Sequence, residues 1–279
     1  MVRAVSQFVQ AVPVTEGAGV NVLRSIGTPA LKNLDPFLML DHFSSNDPDD
    51  YIAGFPPHPH RGFITFTYML DGHMEHQDSM GNRGDLRSGG AQWMKAASGV
   101  IHSEMPRQTN GLMRGFQLWI NLPSAEKMSD PAYQEFAPES IPEVCEATSK
   151  VRVLAGEYAG VHGVVHDSNT QVCYLDIHLR PGAVFVTGLN PEHVAFIYVY
   201  EGELEDFPPH TLSVLGAGHE VAFRAGSKGA RFILVTGRPI REPIVQHGPF
   251  VMNTRAEIEQ AFHEYQAGTL VRKRASMNT

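Results

Sequence analysis

The sequence predicts an all-β protein of two antiparallel β-barrels with one short helix near the C-terminus. Three observations lead there. Short runs of β-branched and aromatic residues recur, each closed by Gly, Pro or Asp-Gly. The same pattern appears before and after residue 150. One stretch near the C-terminus instead carries helical spacing. With 279 residues, two domains of ordinary size fit, at 1–135 and 136–279.

The elements follow in order. Phe63 to Leu70 reads as a strand, and Asp71-Gly72 after it favours a hairpin. Gly81-Asn82-Arg83-Gly84 marks a second turn, and Phe116 to Leu122 is a strand ended by Pro123. Ser124 to Lys150, rich in Pro, Glu, Ser and Ala, reads as the connector. Beyond it, Gln171 to Leu179, Val194 to Tyr200, Gly216 to Phe223 and Arg231 to Val235 repeat the strand pattern. Aligning Gly72 with Gly202 lays Thr67 to Asp71 over Ile197 to Glu201, a weak internal repeat of one barrel. Near the end, Thr254 and Glu257 stand at capping-box spacing. Ile258, Ala261, Phe262 and Tyr265 form one apolar helical face, and Gly268 is a stop. Such a face suits sealing a barrel.

Composition excludes some classes. The net charge of −8 opposes direct nucleic-acid binding, and the one basic cluster, Arg272-Lys273-Arg274, reads as a solvated tail. No apolar run approaches the roughly 20 residues of a membrane span. No charged start followed by an apolar core marks a signal peptide. Cys145 and Cys173 lack CxxC spacing and read as free thiols. A cytoplasmic protein is the expectation.

The chemistry concentrates in two pairs. His58-Pro59-His60 sets two imidazoles at i and i+2, which a strand directs to one face. His102-Ser103-Glu104 does the same with an imidazole and a carboxylate. On neighbouring strands of a barrel these four groups converge and suit one divalent metal. Fe(II) is the leading choice, with Mn, Ni, Co and Cu as alternatives. Without thiolates, a structural zinc site does not fit. The spacing matches cupin motifs. From His58, His60 is two residues on, Thr65 stands at the motif's Glu position, and Gly72 is fourteen on. Gly99-Val100-Ile101-His102 fits the second motif, and Glu104 restores the missing carboxylate. The second repeat carries Gly188, Asn190 and Ala195 at the matching positions, with His193 out of register, and 224–235 contains no His or carboxylate. The second barrel is expected to be metal-free.

The chain resembles the pirin family of bicupins. The resemblance rests on Asp35-Pro36-Phe37-Leu38-Met39-Leu40-Asp41-His42-Phe43, Phe55-Pro56-Pro57-His58-Pro59-His60-Arg61-Gly62, Gln92-Trp93-Met94, and Ser98-Gly99-Val100-Ile101-His102-Ser103-Glu104. It continues in Gln117 to Pro123 and Gly248 to Thr254. Lys95-Ala96-Ala97 departs from the family's Thr-Ala-Gly type sequence. The resemblance implies two facing barrels and iron on His58, His60, His102 and Glu104. Some members resemble quercetin 2,3-dioxygenases, which open a flavonol with O2 and release carbon monoxide. Others resemble iron-dependent regulators that bind a protein partner.

For a dioxygenase, Glu104 is the candidate base for the flavonol 3-hydroxyl proton. Phe55, Trp93 and Met94 are candidate pocket walls, with core packing as the ordinary role. Gln92, Gln117 and Asp41 are candidate acceptors for the second ring nitrogens of ligating histidines. His42, His73 and His76 are expected at polar surface or core-capping positions, away from the site. Asp47-Pro48-Asp49-Asp50 could face a basic partner, or simply water. Arg61 is the one nearby cation that could hold a phosphate, as a sugar-phosphate isomerase would require.

Overall fold

The computed structural model describes residues 1–272 and the backbone of Met277 and Asn278. Lys273 and Arg274 of the basic tail lie outside the described residues. Arg272 lies within them and pairs with Glu264 rather than standing alone in water.

The chain forms two compact units whose segments interleave. One comprises Pro13–Ile26, Phe37–Pro138 and Ile240–Thr279; the other comprises Met1–Val12, Gly27–Pro36 and Glu139–Pro239. Each unit thus takes a segment from the far end of the chain, where the sequence suggested one boundary at residues 135 and 136. The cause is strand pairing that local patterns do not encode. Val5–Gln10 joins Thr211–Leu215 as an edge strand, far from its neighbours in sequence.

The first unit, called here the site unit, holds an eight-stranded sheet and a four-stranded sheet. In the large sheet, Met113–Asn121 lies between Phe37–Ser45 and Phe63–Asp71, antiparallel to both. All three are largely buried on both faces. The small sheet orders Phe55–His60, Val100–Pro106, His73–Asp78 and Arg83–Arg87. Gly72, at φ +106°, turns the chain as its sequence predicts. The strands on either side of it do not pair as a hairpin, because Phe63–Asp71 stays in the large sheet while His73–Asp78 enters the small one. The turn over Gly81 does close a hairpin, His73–Asp78 against Arg83–Arg87. The connector contains a strand of its own, Ala132–Phe136, paired with Ala91–Lys95 through the buried Tyr133.

The helix runs over Arg255–Gln266 with both halves of the Thr254/Glu257 capping box in place. Ile258 and Ala261 pack with Phe250, Met252 and Leu270 in the site unit. Two buried cations fasten this C-terminal segment. Arg61 donates to the Ser98 carbonyl at 2.7 Å and to Glu264 at 2.6 Å. Lys127 Nζ donates to the carbonyls of Gly62 and Val251 and to Asn121 Oδ1, at 2.7, 2.9 and 2.7 Å. Burial lowers the Lys127 pKa to about 8. Gly62 sits at φ +90°, and a Cβ there would lie 1.9 Å from the Val251 carbonyl oxygen, so only glycine allows this approach.

The second unit, called here the filled unit, holds the other eight-stranded sheet. Glu220–Gly237 pairs with Val194–Leu204, Cys173–Leu179 and Val184–Gly188. The run expected at 231–235 and the second half of the one expected at 216–223 are parts of this one 18-residue strand, whereas 216–219 lie outside it. Its interior is aliphatic and aromatic, including Val153, Leu175, Ile177, Ala195, Ile197, Phe232 and Leu234.

Candidate functional site

Three of the four residues singled out in the sequence, His58, His60 and His102, cluster in the site unit, and the fourth, Glu104, groups with His102. Phe55–His60 and Val100–Pro106 run antiparallel with His58 directly opposite His102. A register irregularity between His102 and Glu104 accompanies the carboxylate's position. His58 Nε2 lies 3.1 Å from His60 Nε2, and the ring centroids of His58 and His102 are 4.4 Å apart. The nitrogen atoms that His58, His60 and His102 can offer all lie within 4.8 Å of one another. Two ligands about 2.1 Å from one ion at tetrahedral or square angles sit roughly 3.0–3.4 Å apart. The His58–His60 spacing falls in that window.

Burial and orientation reinforce the fit. His60, His102 and Glu104 are 4%, 1% and 3% exposed. Burial, and then the neighbouring imidazoles, hold the pKa of His60 and of His102 well below the usual histidine range. Both rings are therefore neutral near pH 7, the form that ligates. His58 Nδ1 lies 2.8 Å from the Pro56 carbonyl and donates to it, which leaves the Nε2 lone pair for the cluster. His102 Nε2 is buried without a hydrogen-bond partner. Such an orphaned nitrogen costs free energy unless something coordinates it. On this donor set and geometry, the residues fit a divalent ion.

Glu104 is held from the large sheet. Gln117 Nε2 donates to Glu104 Oε2 at 3.1 Å. The Thr67 hydroxyl donates to Gln117 Oε1 at 2.8 Å and lies 3.3 Å from Glu104 Oε1. Trp119 and Phe63 stack on each other at 4.2 Å and pack edge-on against His60, at 5.1 and 5.0 Å.

His58, His60 and Glu104 form one wall of a cavity of about 600 Å³. Phe55, Phe43, Met39 and Trp119 supply apolar lining, and Arg24, Asp41 and Gln117 supply polar lining. Arg24 grips Asp41 with two hydrogen bonds, at 2.7 and 2.6 Å. Burial raises the Asp41 pKa against the opposing pull of Arg24.

Several expectations change. Phe55 lines the cavity, but Trp93 and Met94 do not. Met94 packs with Met80, Ala96, Val100 and Tyr133, because its strand turns that face into the core. Trp119 takes the wall position. Gln92, Gln117 and Asp41 accept from none of the three clustered histidines: Gln92 donates to Tyr133, Gln117 serves Glu104, and Asp41 serves Arg24. Arg61 is 1% exposed and tied to Glu264, so it is no phosphate ligand. Asp47 caps its own turn, and Asp50 accepts from Ser45 and Asn21. His42 is buried and stacks on Phe116, and His73 pairs with Asp85, both within the roles expected of them.

His76 is the largest departure. It is not remote: it lies opposite Glu104, 1% exposed, with its ring 5.1 Å from His102. His76, His102 and Glu104 make a second group of convergent donors. The available signal was weak, since His76 is 26 residues from His102 and only strand register brings them together.

Comparison with known proteins places the chain. The Pirin family model matches residues 19–120, and the Pirin C-terminal cupin domain matches residues 174–271. A Pseudomonas aeruginosa protein provisionally named quercetin 2,3-dioxygenase is 47% identical over 92% of this chain and 94% of its own length. Human pirin is 42% identical over 90% of this chain and 88% of its own. A crystal structure of quercetin 2,3-dioxygenase from Acinetobacter baumannii superposes with a TM-score of 0.89 at 32% identity, covering 97% of this chain and 99% of that one.

Proposed function

This chain belongs to the pirin family, and from that membership we propose that it is a metal-dependent dioxygenase that opens a flavonol with O2 and releases carbon monoxide. The observation that carries the reading is the cluster of His58, His60 and His102, with Glu104 grouped beside His102, where His58, His60 and Glu104 open on a largely apolar cavity. His58, His60, His102 and Glu104 would hold one divalent ion, Fe(II) by preference from an imidazole-and-carboxylate set, with Mn, Ni, Co or Cu able to replace it. When bound, such an ion acts as a Lewis acid that lowers the pKa of a hydroxyl it meets and supplies the redox chemistry for O2.

The remaining work falls to this chain's own groups. Glu104 takes the proton of the flavonol 3-hydroxyl at a carboxylate oxygen. Gln117 orients that carboxylate by donating to both of its oxygens, which still leaves lone pairs free for the proton. Phe55 and Trp119 present flat apolar surface to an aromatic ring and exclude water. Both cysteines are free thiols, which supports a reducing, cytoplasmic setting.

The test is oxygen-dependent loss of quercetin absorbance, with carbon monoxide detection, on protein stripped and reloaded anaerobically with Fe(II). His60→Ala is the control. We expect turnover in the wild type and at least about a 1,000-fold loss in the control, roughly 4 kcal/mol. One equivalent of metal bound without turnover would sink the dioxygenase reading and favour a metal-dependent protein that binds a partner.

A further inference from the structure

His76 is a buried histidine that the proposed chemistry leaves without a task. Its Nδ1 lies 3.3 Å from His102 Nδ1. With no ion between them, two imidazole nitrogens that meet this way share one proton: two lone pairs would repel and two N–H groups would collide, so one ring donates and the other accepts. Something must decide which.

Asp78 decides. Its Oδ1 accepts from the backbone N–H groups of Met80 and Asn82, at 2.8 and 3.0 Å. Its Oδ2 accepts from Asn82 Nδ2 at 2.8 Å and faces His76 Nε2 at 3.7 Å. His76 Nε2 is itself buried beyond hydrogen-bond reach of any partner, with this carboxylate as the charge it faces. Burial alone would raise the Asp78 pKa, but Asn82, the backbone N–H groups and the nearby His76 outweigh it and leave the carboxyl below the usual range. The carboxylate is therefore fixed and charged. A lone pair on His76 Nε2 would point at that charge, so the proton belongs on Nε2 and the lone pair on Nδ1. His102 must then carry its proton on Nδ1, which leaves the His102 Nε2 lone pair, otherwise without a partner, for an ion. Tyr133 stacks on His76 at 4.5 Å and 26° and keeps the ring from turning.

We propose that Asp78 and His76 are positioning residues that set the tautomer of His102 and present its Nε2 lone pair to the metal. This rests on the metal-holding reading above for its purpose, but the tautomers themselves do not require a metal. Carboxylate and carbonyl partners commonly play this part directly for ligating histidines; here a second imidazole stands between.

Long-range proton–nitrogen NMR on the full-length, chelator-treated protein at neutral pH reads both rings. The proposal expects His102 protonated at Nδ1 and His76 at Nε2. His102 protonated at Nε2 would overturn it. In Asp78→Asn, whose amide can donate or accept, both His76 tautomers should appear; an unchanged spectrum would deny Asp78 its role. Cobalt(II) affinity, measured by competition with a chelator, supplies a second readout. His76→Phe keeps the stack on Tyr133 but cannot accept a proton, and should bind about 10–100-fold more weakly. His76→Gln, whose side-chain oxygen can accept from His102, should recover most of that loss. Equal weakening in the two variants, or wild-type affinity in His76→Phe, would reduce His76 to packing. Were the wild type to bind no cobalt(II), the metal-holding reading would fail while the NMR result still decided the tautomer relay.

Discussion

The two units carry a corresponding row of three residues across their central strands, and the rows differ in kind. In the site unit, Asp41, Gln117 and Thr67 lie side by side. In the filled unit, Leu175, Leu234 and Ile197 hold the matching places. One row faces a cavity and leads to Glu104. The other is buried in a continuous apolar core. One barrel architecture thus serves two purposes. An interior of aliphatic side chains needs no hydrogen-bond partners and packs shut. A polar interior must satisfy each group, and the free volume that remains can admit a ligand.

The sharpest way to break this comparison is to exchange the central residues. Leu234→Gln places an amide where no partner exists and should cost about 3–5 kcal/mol. The reverse change, Gln117→Leu, should shift stability by less than about 1 kcal/mol while weakening metal binding about tenfold, because Glu104 loses its donor. Urea unfolding followed by circular dichroism measures both. Trp93 and Trp119 are the two tryptophans of the chain and both lie in the site unit, so tryptophan fluorescence isolates that unit. A harmless Leu234→Gln would mean that the two interiors do not differ as described.

Acid offers the next largest effect. Burial tends to raise the Glu264 pKa, but Gln260, Arg61 and Arg272 outweigh it and hold the carboxyl at about 2. A carboxyl depressed in the fold stabilises above its unfolded value, and that contribution is lost as pH falls. The window is therefore about pH 4.5 down to 2. The tryptophan signal should report this loss, and the paired Arg61→Met/Glu264→Met variant should lack it. An acid arm of the same size in that variant would assign the effect to other groups.

The smallest effect concerns Ala97, which adopts φ +42° at a place where the family pattern has glycine. Ala97→Gly should raise the stability of the site unit by about 0.5–1 kcal/mol, seen as a higher urea midpoint with an unchanged slope.

Much of this was legible in the sequence. The i, i+2 pairs at His58/His60 and His102/Glu104 report a shared strand face, a purely local property. The capping box and the stop at Gly268 are equally local, and the helix matches them. What escaped notice depends on register between distant strands. His76 meets His102 only through the pairing of His73–Asp78 with Val100–Pro106. Trp93 and Trp119 are indistinguishable by composition, and only the sheet determines which faces the cavity. Arg61 beside a histidine pair suggests a ligand contact until Glu264, about 200 residues away, is seen to occupy it.

The Arg61–Glu264 and Lys127–Val251 contacts bear on how the protein is made. Most strands of the site unit leave the ribosome early, yet its closing segment follows the whole of the filled unit. The filled unit has all its segments once residue 239 is out. Throughout the intervening synthesis two buried cations lack their final acceptors, and the emerging barrel is held open at its C-terminal seam. A nascent chain arrested before residue 240 should therefore display a finished filled unit beside an unsealed one, and any ion it captured would be held by a pocket not yet fastened.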